Sequence, residues 1–256
     1  MYMEKFSLQG RVGIVTGGGQ GIGRIYCHAF AEAGADVVIA EINADNGEQT
    51  AEQVRAMGRQ ALAAPTDIRD KSSVQDMVAA ALDQFGRIDF LMNNAGLARL
   101  YDAVDVPEDE WRDIFDVNLN GMLFCCQAVG KHMIAKQRGS IVNISSVSGL
   151  VANRGRPHIS YNVSKAGVKH LTSMLACEWA GHNIRVNGIA PGYIATEHAK
   201  DFLADPRYGG QFIPWIPMQR PGEPEELGPL AVFLASDASS YLTGTTIVAD
   251  GGYTCW

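Results

Sequence analysis

Apolar positions along this chain come in short unbroken runs separated by longer helix-like stretches. The runs are "RVGIVTG" (11–17), "ADVVIAE" (35–41), "QALAAPTD" (60–67), "RIDFLMNNAG" (87–96), "GSIVNISS" (139–146), "IRVNGIAPG" (184–192) and "TTIVADGG" (245–252). Helices are expected between them, over about 22–34, 45–57, 71–85, 107–136, 158–180 and 223–236. Strands with little in/out alternation are buried on both faces, and helices between successive strands make those strands parallel. The pattern predicts an α/β fold, a doubly wound parallel sheet with helices on both faces. No repeat, linker or low-complexity segment divides it, so residues 1–256 are expected to form a single domain. The alternation pauses over 193–222, where Pro206, Pro214, Pro217 and Pro221 mingle with Phe202, Phe212 and Trp215. An aromatic insert beyond a strand end is expected to serve as a substrate lid.

Composition narrows the function classes. A 256-residue chain with 46% apolar and 19% charged residues has the balance of an ordinary globular protein. Its net charge of −7 argues against a general nucleic-acid binder, which needs a basic stripe. No apolar run approaches the roughly 20 residues of a membrane span. The start, "MYMEKFSLQGR", lacks the layout of a signal peptide, and a cytoplasmic location is expected. Cys27, Cys125, Cys126, Cys177 and Cys255 show no zinc or CxxC spacing. The first four sit among apolar neighbours and are expected to be buried.

Candidate chemistry begins at "TGGGQGIG" (16–23), between the first strand and its helix. Glycines there let the backbone turn tightly and approach a ligand, and the helix start offers free N–H groups to a pyrophosphate. In this strand–turn–helix setting the segment reads as a Rossmann-type dinucleotide site, with Gly17, Gln20, Gly21, Ile22 and Gly23 as contacts. Glu41 closes the second strand. A carboxylate there can accept from the adenosine ribose hydroxyls and repels a 2′-phosphate. Gln20 brings no positive charge to the turn and no Arg or Lys closely follows Glu41, so NAD is favoured over NADP. Further along, "SYNVSKAG" (160–167) stacks Tyr161 and Lys165 one turn apart on a helical face. By itself that spacing reads better as an ordinary solvent-exposed pair.

In order and at suitable spacing, the chain carries "TGGGQGIG" (16–23), "TDIRD" (66–70), "NNAG" (93–96), Asn118 in "DVNLNG", Ser146 in "NISS", "YNVSK" (161–165), "PGYIAT" (191–196) and "DGG" (250–252). With these it resembles the short-chain dehydrogenase/reductase family over nearly its full length. The resemblance implies a catalytic set of Asn118, Ser146, Tyr161 and Lys165. It implies that Asp67 and Ile68 flank the adenine, that Asn94 supports the cofactor site and the central sheet, and that Ile194 and Thr196 meet the nicotinamide carboxamide. Tyr161 and Lys165 also count among the cofactor contacts. It further implies a homotetramer, with the helices over about 107–136 and 158–180 packed between subunits.

These residue types suit hydride chemistry. A free tyrosine has a pKa of about 10, too high for a base near neutrality. An ammonium one turn away, with the positive nicotinamide ring, favours the phenolate. Tyr161 would be the base in oxidation and the acid in reduction, while Lys165 lowers the phenol pKa and hydrogen-bonds the nicotinamide ribose. "SSVS" offers three serines, Ser145, Ser146 and Ser148; the family motif places Ser146 on the reacting oxygen. Asn118 sits where a helix ordinarily prefers another residue. In the family that position kinks the helix and holds water linking the lysine to solvent; a solvent-facing Asn is the alternative. Asp105, Glu108, Asp109, Glu110, Asp113 and Asp116 read as a solvated face.

The substrate is a small-molecule alcohol or ketone, with neither nucleic acid nor membrane as partner. The segment "VSGLVANRGRPHIS" (147–160) is expected to line the pocket, with Ser148, Asn153, Arg154 and His158 as candidate contacts and Arg156 beside them. It is more polar than a steroid or fatty-acyl site favours. "NNAGLARLYDA" (93–103), "VANRGRP" (151–157) and "DGGYTCW" (250–256) resemble the NAD-dependent polyol dehydrogenases of the family, the galactitol/sorbitol type, which oxidise a sugar alcohol to a ketose. Two alternatives stand beside that reading: a 3-oxoacyl or hydroxysteroid ketone reductase, and a non-catalytic dinucleotide sensor. No His/Asp/Glu spacing indicates a catalytic metal. Relatives with a magnesium ion near the C-terminus make a structural ion there an expectation of the resemblance alone.

Overall fold

A computed structural model describes residues 1–153, 155–197, 199 and 209–256. Seven strands form one parallel sheet: β1 (Val12–Thr16), β2 (Asp36–Glu41), β3 (Ala61–Pro65), β4 (Phe90–Asn93), β5 (Gly139–Ile144), β6 (Ile184–Pro191) and β7 (Thr246–Ala249). Their spatial order is β3-β2-β1-β4-β5-β6-β7. The order reverses between β1, which pairs with β2 on one side, and β4, which pairs with it on the other. That reversal opens a crevice at the carboxyl ends of the strands, where ligands bind in such sheets.

Both faces of the sheet are covered, which is why its strands read as continuous apolar runs. Helices α1 (Gly21–Glu32) and α2 (Ala44–Ala56) lie on one face with the final helix, α7 (Gly228–Ala235). There Tyr26, Phe30, Val54 and Leu234 pack against Val15, Val37, Ile39 and Met92. On the other face lie α3 (Lys71–Phe85), α5 (Met122–Lys136) and α6 (Ile159–Trp179). Their Met77, Met133, Val168 and Trp179 meet Ile14, Val38, Leu91 and Ile141. Successive residues such as Ile14 and Val15 thus serve opposite cores.

The helix expected over 107–136 is divided. It runs as α4 (Glu108–Phe115), loosens into a π-helical turn over Asp116–Gly121, and resumes as α5. The last helix opens as a 3-10 turn over Pro224–Leu227, because Pro224 and Pro229 permit only helix starts there. Cys27, Cys125 and Cys126 are buried as expected, but Cys177 is exposed, as is Cys255. Cys177 lies on the outer face of α6, where its apolar neighbours in sequence do not decide its side. Residues 198 and 200–208 of the expected lid, and Arg154, lie outside the described residues. The rest of that segment contributes Phe212 and Ile216 to a small apolar cluster with Tyr193.

Candidate active site

The glycine turn is built by close backbone approach. Gly17 and Gly21 have positive φ, 64° and 53°. A methyl on Gly23 would lie 2.0 Å from the Gly17 carbonyl oxygen, so α1 packs against the turn only because Gly23 has no side chain. A methyl on Gly21 would meet nothing within 4 Å. The backbone therefore faces an open cradle at the start of α1, whose first turn carries no acidic side chain. A diphosphate fits there on helix N–H groups.

Glu41 is buried and does more than end a strand. Its Oε2 accepts from the Gly19 N–H at 3.1 Å and its Oε1 from the Asn43 N–H at 3.2 Å. The carboxylate is thereby fixed at the mouth of a 450 Å³ cavity that Gly17, Gly21, Asp67, Ile68 and Thr196 also line. Asn94 straps β4 to the turn: its N–H donates to Thr16 Oγ1 at 3.0 Å, and its Nδ2 to the carbonyls of Thr16 and Gly17, each at 3.1 Å. Arg69 pairs with Asp67 at 2.7 Å and with Asp113 at 3.0 Å, which steadies the far wall.

A second cavity of 290 Å³ adjoins the first; Ile22, Asn94, Leu97 and Thr196 line both. Ser146, Tyr161, Lys165, Arg156 and Tyr193 converge on it. Ser146 follows β5, and the turn after it lies directly on α6. A methyl on Gly149 would come within 2.6 Å of the Lys165 backbone. The same seam is tied by Ser145 Oγ, which donates to the Lys165 carbonyl at 2.8 Å. Ser146 Oγ accepts from the Ser148 N–H at 3.1 Å and is hydrogen-bonded to Tyr161. Of the three serines, Ser146 is the one whose hydroxyl reaches the phenol.

Lys165 is buried, and its Nζ donates to the Ile144 carbonyl at 2.8 Å, 5.7 Å from the centre of the Tyr161 ring. Burial pushes its pKa down to about 8. Burial also raises the Tyr161 phenol, against the lowering effects of the Ser146 hydrogen bond and the Arg156 charge. The expected depression of the phenol by Lys165 is therefore not present in the protein alone. Asn118 is fully buried at the centre of the π turn, which excludes a solvent-facing role. It accepts from the Leu97 N–H at 2.7 Å and donates to the Leu97 carbonyl at 2.9 Å and to Ser164 Oγ at 3.0 Å. These bonds join the loop after β4 to α6 one residue before Lys165. The wider turn lets the amide leave the helix ladder to make them.

Three of the candidate substrate residues stand behind the cavity surface. The Ser148 side chain is buried. Asn153 donates to the Tyr193 hydroxyl at 3.4 Å and accepts from Asn162 at 3.2 Å. The buried His158 ring meets the edge of Tyr161, centroids 5.5 Å apart. Arg156, named beside those candidates, and Tyr193, which the sequence reading did not name, are the described residues that line the cavity from these segments. The alternation of the loop did not mark which of its polar residues would turn inward. Among the described residues no group of three or more His, Cys, Asp or Glu could hold a metal. Near the C-terminus, Asp250 instead accepts from the Gly252 and Thr254 N–H groups, each at 2.8 Å.

Similar proteins give the chain's family. A family model described as enoyl-(acyl carrier protein) reductase matches residues 17–254. The chain is 42% identical over 257 aligned residues to the galactitol 2-dehydrogenase of Rhizobium johnstonii, covering 100% of this chain and 99% of the other. It is also 42% identical to the 2-dehydro-3-deoxy-D-gluconate 5-dehydrogenase of Escherichia coli, covering 99% of each. The crystal structure of a gluconate 5-dehydrogenase from Burkholderia cenocepacia, in complex with NADP and tartrate, superposes with a TM-score of 0.95 at 35% identity and 100% coverage of both chains. With its seven-stranded parallel sheet, glycine turn and Ser–Tyr–Lys cluster, the chain belongs to the short-chain dehydrogenase/reductase family and is an oxidoreductase.

Proposed function

We propose that the chain oxidises, with NAD, a secondary alcohol of an open-chain polyhydroxylated compound to the ketone, in the manner of a galactitol/sorbitol-type 2-dehydrogenase that forms a ketose. The observation that carries this reading is the junction of the two cavities, where Ser146, Tyr161 and Lys165 meet beside a cradle shaped for a dinucleotide. Bound NAD supplies the hydride acceptor and a positive ring beside the phenol. Ser146 orients the substrate hydroxyl: its oxygen accepts from the Ser148 N–H, and its O–H, which lies beside the Tyr161 phenol, turns to the reacting oxygen when substrate enters. Tyr161 takes the hydroxyl proton as the carbinol C–H electron pair leaves as hydride. Lys165 holds the nicotinamide ribose and adds positive charge to the pair. Asn118 and Ser164 position α6 so that Lys165 faces the junction.

The NAD preference rests on Glu41, whose fixed carboxylate would oppose a 2′-phosphate. The gluconate 5-dehydrogenase neighbour has NADP bound, so the preference is argued from Glu41 and not from that neighbour. A homotetramer is part of the same proposal. Ile159, Val163 and Met174 are exposed along one stripe of α6, at the spacing of a helix–helix seam, with Cys177 on the same stripe. The test is a screen of polyols and sugar acids with NAD and NADP, followed by NADH absorbance. Activity with NAD on at least one such compound is expected; inactivity across the panel would sink the reading.

A further inference from the structure

The loop that follows β4 forms a partition between the two cavities. Gly96, Leu97 and Arg99 line the cofactor side, and Gly96, Leu97 and Ala98 line the substrate side. Residues 94–100 have no helix or strand to hold them, so side chains fasten the loop. Asn118 holds Leu97 by both its N–H and its carbonyl. The Tyr101 N–H donates to the Pro157 carbonyl at 2.9 Å, tying the loop to the segment before α6. Between these two points Arg99 pairs with Glu110 and, at 3.1 Å, with Asp113, both on α4. Glu110 belongs to the acidic run that reads from the sequence as a solvated face, yet its side chain is only 5% exposed. Its Oε2 bonds to Arg99, while Oε1 meets no hydrogen-bond partner among the described residues. A carboxylate so buried and only half satisfied is a poor source of stability. What the pair supplies is position, because the loop fits only where the guanidinium reaches Glu110. Asp113 pairs in turn with Arg69, which grips Asp67, so the loop is joined through alternating charges to the far wall of the cofactor cavity.

We propose that Arg99 is a positioning residue for hydride transfer: its pairing with Glu110 and Asp113 sets where the partition stands. The partition in turn sets how closely an alcohol resting on Leu97 and Ala98 approaches the hydride acceptor. This rests on the dehydrogenase reading above and adds to it a residue that acts through the loop rather than on the reacting atoms. Ala98 is the next residue to Arg99 and Leu97 the one before it, so a shift at Arg99 passes directly to both walls. A displacement of about 1 Å between reacting groups costs on the order of 10²-fold in rate.

The experiment follows Arg99→Met, Arg99→Lys and the double variant Arg99→Met/Glu110→Leu by amide hydrogen exchange, thermal unfolding and steady-state kinetics. The substrate is whichever compound of the panel the wild-type enzyme turns over best with NAD. In Arg99→Met the Leu97 and Tyr101 amides should exchange at least about tenfold faster than in the wild type. Its kcat should fall by about ten- to hundredfold while the dissociation constant of NAD moves by less than about threefold, which also reports that the variant is folded. Deuterium at the carbinol carbon should slow the variant more than the wild type, because the misplaced hydride step then limits turnover. Arg99→Lys, with a point charge in place of the fork, should recover part of kcat. The double variant separates position from stability: an apolar pair removes the stranded carboxylate, so Tm should return toward the wild-type value while kcat stays low. Recovery of kcat together with Tm would overturn the inference, as would unchanged amide exchange or unchanged kcat in Arg99→Met. Should Arg99→Met lose NAD binding, Arg99→Lys decides alone, and a kcat equal to that of the wild type would overturn the inference. Each of these outcomes leaves the dehydrogenase reading intact. Inactivity of the wild-type enzyme across the panel would remove that reading and this role for Arg99 with it.

Discussion

The cofactor cavity and the substrate cavity share an edge, yet they are built by different means. The first is made by backbone. Its turn exists because Gly17, Gly21 and Gly23 have no side chains, and Asn94 holds it by bonds to two main-chain carbonyls. The second is made by side chains projecting from separate segments: Ser146 after β5, Arg156 before α6, Tyr161 and Lys165 on it, and Tyr193 after β6. A backbone cradle recognises a part common to all dinucleotides and tolerates almost no added volume. A wall of exchangeable side chains can be retuned to a new substrate without disturbing the sheet. The two cavities therefore differ as rigid and adjustable construction.

That contrast can be broken in several ways. Tyr161→Phe tests the shared edge and should have the largest effect. Turnover is expected to fall by about 10³-fold while dinucleotide affinity, followed by fluorescence titration, moves by less than about threefold. Retained turnover would put the base elsewhere. Gly23→Ala places a methyl 2.0 Å from a backbone oxygen, and dinucleotide binding should weaken by about 100-fold with a lowered Tm. An unchanged affinity would show that close approach does not build this cavity.

Smaller effects are expected where charge rather than shape is changed. Glu41→Gln can keep the acceptor for the Gly19 N–H but loses the charge, and should shift the NAD/NADP ratio of kcat/KM toward NADP by about tenfold. The pH profile follows from Lys165, whose pKa of about 8 lies below its ordinary value because of burial. Below that pH both Lys165 and Tyr161 hold their protons, and oxidation has no open base. Burial raises the phenol, and a lysine that has lost its proton above about 8 no longer favours the phenolate. So kcat/KM for oxidation should climb only as pH rises into the alkaline range where Tyr161 itself ionises, and that for reduction should fall there. A profile flat from pH 6 to 10, measured by NADH absorbance, would contradict this. The smallest effect is expected behind the wall: Asn153→Ala loses its weak bond to Tyr193 and the bond it accepts from Asn162, and should change KM by only about two- to fivefold.

Local rules made much of the cofactor side legible. The glycine spacing, the carboxylate at the end of β2 and the one-turn separation of Tyr161 and Lys165 are short-range features, and the backbone places them where helix and strand geometry requires. The substrate side resisted such reading. Asn153, Arg156 and His158 occupy one polar loop with equal claims, but only Arg156 lines the cavity; Asn153 buttresses Tyr193 and His158 packs on Tyr161. Asn118 was visible as an oddity within a helix. That it would open a π turn and join Leu97 to Ser164 depends on partners 21 and 46 residues away. Cys177 shows the same limit: apolar neighbours along the chain did not reveal that α6 turns it outward.

The amino-acid sequence by itself determined the doubly wound sheet, the glycine turn and the one-turn spacing of Tyr161 and Lys165, because strand burial, glycine conformation and helical spacing are properties of neighbouring residues. Tertiary structure decided which polar side chains face the substrate, how burial sets the proton affinities of Tyr161 and Lys165, and what Asn118 and Glu41 hold in place. Those outcomes depend on atoms that meet only after distant segments pack, and on the loss of water that packing imposes.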